Sequence, residues 1–226
     1  MNHRSSSFVL RSLALLAVAA TVAGCALPQI ISAVGHNIER EKEIEVLSKY
    51  TGLENVTVAV LVHADHAMLY EYPMVKPNMT ANIAARLQQN VSGIRLLLPS
   101  QVMTWEYQTP TWSSMPMGQV CELLDVDRIV YVDVLEFRLN PQGNRFLWEA
   151  AAVANVSVFE RASLDPDAPV EEFSVTSRFP DERTVTREQL RQEQVEAGIV
   201  GRFCQKVAWL FYDHKEDKYP DRNVKN

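Results

Sequence analysis

The hydrophobic pattern changes period several times along the chain, and those changes divide it into elements. Val56-Thr57-Val58-Ala59-Val60-Leu61-Val62 is a near-continuous β-branched run, the pattern of a strand buried on both faces. His63 to Asn78 carries Pro73 and Pro77 without clear periodicity and reads as a long loop. Ile83, Leu87 and Val91 then recur at helical spacing, with Asn78 or Thr80 as cap and Gly93 as stop. Ile94–Leu98 reads as a second strand, with Val102–Tyr107 as its continuation beyond Pro99. Pro110 to Pro116 reads as a loop, Met117–Leu124 as a short helix, and Arg128–Leu139 as the clearest long strand.

A turn at Pro141-Gln142-Gly143-Asn144 leads into a strand over Phe146–Glu160. A second turn at Asp165-Pro166-Asp167 leads to an alternating strand over Glu172–Phe179. Thr186-Arg187-Glu188-Gln189 fits a capping box for a last long helix. Its apolar stripe is Leu190, Val195, Ile199, Phe203, Val207 and Leu210, widened by Ala197, Val200, Cys204, Ala208 and Phe211. A stripe that broad belongs against a sheet. Gly198 and Gly201 weaken that helix unless close packing requires them. The expected fold class is α/β. The mixed sheet has its first strands parallel and its later strands antiparallel, and the C-terminal helix packs on one face.

The N-terminus has a different pattern. Arg4 and Arg11 are the only charged residues before Glu39, and a short apolar run from Leu13 to Ala23 follows them. That is an export signal, and the run is too short for a membrane span of roughly 20 residues. Val22-Ala23-Gly24-Cys25 resembles the bacterial lipobox, which implies cleavage after Gly24 and acylation of Cys25. Several acyl chains give firm attachment where one gives only marginal binding. In lipoproteins Asp after the cysteine favours inner-membrane retention, so Ala26 implies, by that family rule, the outer membrane of a two-membrane bacterium, facing the periplasm. The expected organisation is a signal peptide over 1–24, then a lipidated N-terminus and short helical tether over 25–52. One domain follows over 53–213, with a charged tail over 214–226. The tether helix is read over His36–Tyr50.

Charge narrows the function. Without Arg4 and Arg11, the 22 basic residues become 20 against 28 acidic ones, a balance of −8. An acidic domain is a poor nucleic-acid binder and is not drawn to anionic lipid, so the lipid on Cys25 does the anchoring. Besides Cys25, the cysteines are Cys121 and Cys204, both in apolar helical stretches. They read as two free thiols, with a disulfide open because export permits one.

From Val56 to Leu139 the order is strand, loop, helix over Met79–Asn90, strand over Ile94–Leu98 and short helix. That helix ends at Leu124-Asp125-Val126-Asp127, and the strand Ile129-Val130-Tyr131-Val132-Asp133-Val134 follows. The order resembles the periplasmic lipoprotein domain shared by the curli-secretion-channel lipoprotein, the penicillin-binding-protein activator lipoprotein and the N-terminal domain of TolB. Asp125 and Asp133 stand where that pattern usually has glycine. The resemblance implies a non-enzymatic binding, assembly or regulatory module, with an envelope protein as partner and a homo-oligomer left open.

No nucleophile–base–orienter set, phosphate loop or zinc motif is present, so neither an enzyme nor a cofactor is expected. The alternative is a metal- or small-ligand-binding domain at His63-Ala64-Asp65-His66, where His63, Asp65 and His66 offer two imidazoles and a carboxylate. Asp133, in an apolar strand, is read as paired with Arg128 or Arg138 or as facing water. Trp105, Tyr107, Trp112 and Met115 form the first candidate for a partner-binding surface if exposed, since aromatics and methionine favour such contacts. Packing onto the sheet edge is the other outcome for those side chains.

Overall fold

The structure, a computed structural model, describes residues 43–181 and 185–217. The export segment, Cys25, residues 36–42 of the expected tether helix and the last residues of the tail lie outside them. The chain divides into two compact units, Val46–His214 and one made of the chain before and after it. Glu43–Val46 (β1) pairs with His214–Asp217 (β9) as a two-stranded sheet. This corrects the tether helix over its described part. The charged run has helix propensity, but a partner strand overrides propensity, and Lys215 lies 3.6 Å from Glu43 across the pair.

The body holds a five-stranded sheet. Its members are Thr57–Ala64 (β2), Arg95–Leu96 (β3), Arg128–Arg138 (β4), Ala150–Glu160 (β6) and Glu171–Phe179 (β7), in the order β3-β2-β4-β6-β7. β2 runs parallel to β3 and β4, whereas β6 and β7 are antiparallel additions. The fold is therefore α/β with a mixed sheet, as the periodicity predicts. Leu147–Trp148 (β5) and Val185–Thr186 (β8) pair separately.

Side chains alternate along a strand, and here the alternation separates two cores. Val58, Val60 and Val62 of β2 and Val130, Val132 and Val134 of β4 face the first core. Helices Val75–Asn90 (α2) and Gln192–Ala208 (α5) cover it. Ala59, Leu61 and Ile129 face the second core, under Pro99–Gln108 (α3) and Met117–Leu124 (α4). Cys204 belongs to the first core and Cys121 to the second. Both thiols are free, and burial pushes Cys121 up to about 11 and Cys204 up to about 12.

Several elements differ from the expectation. The segment 63–78 is not a loop. It holds a short helix, His66–Glu71 (α1), and the first turn of α2, where Pro77 is tolerated because a first-turn N–H has no intrahelical partner. Val102–Tyr107 is helix rather than strand. Pro99 starts α3 at its first position, and the Leu98 N–H donates to the Gln101 side chain at 3.4 Å. Thr186 and Gln189 do pair, with the Thr186 N–H donating to Gln189 Oε1 at 2.7 Å. They close a turn, and α5 begins later, at Gln192, where Gln194 Oε1 accepts from the Arg191 N–H at 3.0 Å. Ala197 is exposed and leaves the stripe. Asp125 ends α4 at φ 50° in the left-handed region, a conformation in which glycine is the usual residue.

Candidate functional site

Near the carboxyl end of β2 and in the middle of β4, two polar side chains, His63 and Asp133, lie on the face of the second core. The register sets His63 beside Asp133, and the His63 ring nitrogen Nδ1 lies 2.9 Å from Asp133 Oδ1. Both side chains are about one-third exposed, at 38% and 36%. Asp133 therefore pairs with neither expected arginine. Arg128 goes to Glu160 at 3.3 Å, and Arg138 goes to Glu136 and Glu149.

Aromatic rings surround the pair. His63 meets Trp112 edge-on at 6.2 Å and stacks near Tyr131 at 6.4 Å. Trp112 in turn meets Trp105 at 6.3 Å and Tyr131 at 6.1 Å. Burial and the nearby Asp133 charge push the Tyr131 phenol up to about 12.

An ion pair adjoins the cluster. Lys76, in the first turn of α2, reaches Glu106 Oε2 of α3 at 2.9 Å. The same ammonium lies 5.5 Å from the centroid of the Trp112 ring, within cation–π range. Glu106 is only 7% exposed, and its other oxygen, Oε1, has no hydrogen-bond partner. Burial raises the Glu106 carboxyl above its ordinary value. The Lys76 hydrogen bond, the Lys76 charge and the His63 charge oppose that rise.

The candidate residues divide clearly. His63 is in the cluster. Asp65 caps α1 by accepting the Met68 N–H at 2.7 Å, so it is spent on the backbone. Among the described residues no group of three His, Cys, Asp or Glu side chains is placed to hold a metal, which removes the three-ligand site at His63, Asp65 and His66. Of the proposed surface residues, Trp112 is buried at 5% exposure and Trp105 and Met115 pack partly against the same core. Only Tyr107, 89% exposed, projects into solvent.

The sequence reading missed Lys76, Glu106 and Tyr131. A signal for Glu106 existed: once 99–108 is helical, Glu106 falls four residues after Val102, on the face that packs inward. Lys76 had none, because it lay in a segment read as loop.

At the other end of these strands, the segment before β2 is pinned to the segment after α5. The Lys49 and Tyr50 N–H groups donate to the Leu210 carbonyl at 2.8 and 3.0 Å. The Ser48 N–H and hydroxyl donate to Asp213 Oδ1 at 2.8 and 3.0 Å. The Tyr50 hydroxyl donates to Glu160 Oε1 at 2.5 Å, beside Arg128 at the start of β4. β2 rises about 20 Å between Thr57 and His63 at ~3.3 Å per residue, so the clamp and the cluster sit at opposite ends of the parallel strands.

Comparison with known proteins gives distant likenesses only. No family model matches the sequence, and no curated relative does. Among solved structures, the lipoprotein GNA1162 of Neisseria meningitidis is 13% identical, with 62% of this chain and 89% of that one covered at a TM-score of 0.42. A PelC dodecamer from Paraburkholderia phytofirmans is 10% identical, with coverage of 76% and 97% at 0.41. The hypothetical protein CT253 of Chlamydia trachomatis is 15% identical, with coverage of 67% and 96% at 0.35. All three scores lie below 0.5. No helix among the described residues is long and apolar enough to cross a membrane.

Proposed function

We propose that the protein is an exported lipoprotein, cleaved after Gly24 and anchored to the outer membrane through Cys25. On this reading its periplasmic body is a non-enzymatic binding, assembly or regulatory module for another envelope protein. The observation that carries the proposal is the joining of two segments. Residues 63–78 and 105–117, far apart in sequence, meet at one end of the parallel strands through Lys76–Glu106 and His63–Trp112. Tyr70, Met74 and Tyr107, which are 92%, 57% and 89% exposed, belong to the same two segments. Exposed aromatics and methionine are favourable anchors for a partner.

Two measurements test the proposal. Labelled palmitate should enter the wild-type protein and not Cys25→Ala. Equal labelling of both, or unprocessed precursor in the cytosol, removes the anchor. For the binding edge, Tyr70→Ala with Tyr107→Ala should abolish co-purification of an envelope partner from solubilised membranes while the fold stays intact. Undiminished capture moves the binding surface elsewhere.

A further inference from the structure

We propose that the edge formed by Trp112, Glu106 and His63 is a receptor for an alkylammonium group, such as the lysine side chain of a protein partner, and that Lys76 occupies it in the resting structure. This names the chemistry recognised by the binding edge proposed above, and it rests on that reading.

Three independent features point to it. First, the recognition elements of an ammonium group are assembled around Lys76: a carboxylate oxygen at 2.9 Å and an indole ring at 5.5 Å, the two attractions that hold alkylammonium ligands. Second, the carboxylate has unused capacity. Glu106 Oε1 is buried and has no partner, although an ammonium has three donors and a buried acceptor left unpaired is costly. A site that accepts a differently placed cation uses that oxygen. Third, Lys76 can leave the seat. Lys76 is one-fifth exposed, so its head group has a route to solvent, and its long stem allows it to swing out.

Chemical complementation tests this with protein purified in detergent as the cell makes it. Lys76→Ala empties the seat, and n-propylammonium chloride is titrated in at constant ionic strength. A saturable rise in Tm of about 3–5 °C is expected at ten times the dissociation constant. The wild type should shift by less than one degree, because its own lysine competes at high effective concentration. Lys76→Ala with Glu106→Gln should not respond. If Lys76→Ala does not fold, Lys76→Ser, which also empties the seat and suits a first helical turn, is titrated with Nα-acetyl-lysine amide, against Nα-acetyl-norleucine amide as the uncharged control. Only the lysine compound should change tryptophan emission saturably. No saturable response, or an equal one in the double variant or with the norleucine control, overturns the proposal. Failure here with labelled palmitate still on Cys25 and the partner still captured leaves the lipoprotein reading standing and removes only the ammonium chemistry.

Discussion

The two faces of the central sheet are built from alternate residues of the same strands, yet they do different work. The face under α2 and α5 is apolar and dry: Val58, Val60, Val130, Val132, Ile199 and Phe203 are almost fully buried. The face under α3 and α4 begins the same way at Ala59, Leu61 and Ile129, then turns aromatic and charged at Tyr131, His63 and Asp133. The first face carries stability through area removed from water. The second spends part of its burial on polar groups that cost free energy to enclose. A fold that tolerates a buried, half-satisfied carboxylate on one face can do so because the other supplies the stability. Strained or costly groups of this kind are found where proteins bind their partners.

The largest effect should come from the dry face. Phe203→Ala deletes the largest fully buried side chain and should destabilise the protein by about 3–5 kcal/mol. Tyr107→Ala, on the other side of the sheet and 89% exposed, should stay within about 0.5 kcal/mol. Urea unfolding measures both. A cost for Tyr107 close to that for Phe203 would remove the distinction between a stabilising face and a binding face.

The second effect depends on pH. Lys76→Met leaves Glu106 buried without its cation, and breaking a buried pair costs about 3 kcal/mol or more. Burial already raises the Glu106 carboxyl in the fold, and losing Lys76 removes the main opposing influence. A carboxyl whose folded value lies above its unfolded one binds more protons in the fold, so its penalty is largest at high pH. The penalty fades as pH falls through the folded value towards the unfolded one. The deficit of Lys76→Met relative to wild type should therefore shrink from neutral to mildly acidic pH. Glu106→Gln in the same background should abolish that dependence. A deficit that stays constant with pH would mean that Glu106 is not the group left uncompensated.

How much of this was legible in the sequence follows the same division. The dry face was readable because its signals are local and periodic: the β-branched run of β2, the alternation in β4, and the stripe Val195, Ile199, Phe203 and Val207 in α5. The polar face was not. α3 contains Val102, Thr104, Trp105 and Tyr107, types enriched in strands, and only Pro99 and the capping reach of Gln101 indicate its helical start. Once α3 is read as strand, Glu106 loses its inward face and Lys76 its partner. His63 was noticed for the wrong neighbours. Nearness in sequence grouped it with Asp65 and His66, whereas parallel pairing, which joins residues 70 positions apart, put it beside Asp133.

The smallest effect separates two glycines of α5 that look equivalent in the sequence. Both lower helix propensity by about 1 kcal/mol relative to alanine, and close packing was the expected reason for each. At Gly198 the packing is real: an added Cβ would lie 2.6 Å from the Phe179 ring. At Gly201 a Cβ would meet nothing within 4 Å. Gly201→Ala should therefore stabilise the protein by up to about 1 kcal/mol, gained from propensity and a less flexible unfolded chain. Gly198→Ala should destabilise it, because the ring must move before the methyl group fits. Thermal melts of the two single variants suffice. Shifts of opposite sign would show that tight packing on the dry face is set residue by residue, whereas stabilisation by both would mean that Phe179 yields and the packing there is looser than its geometry implies.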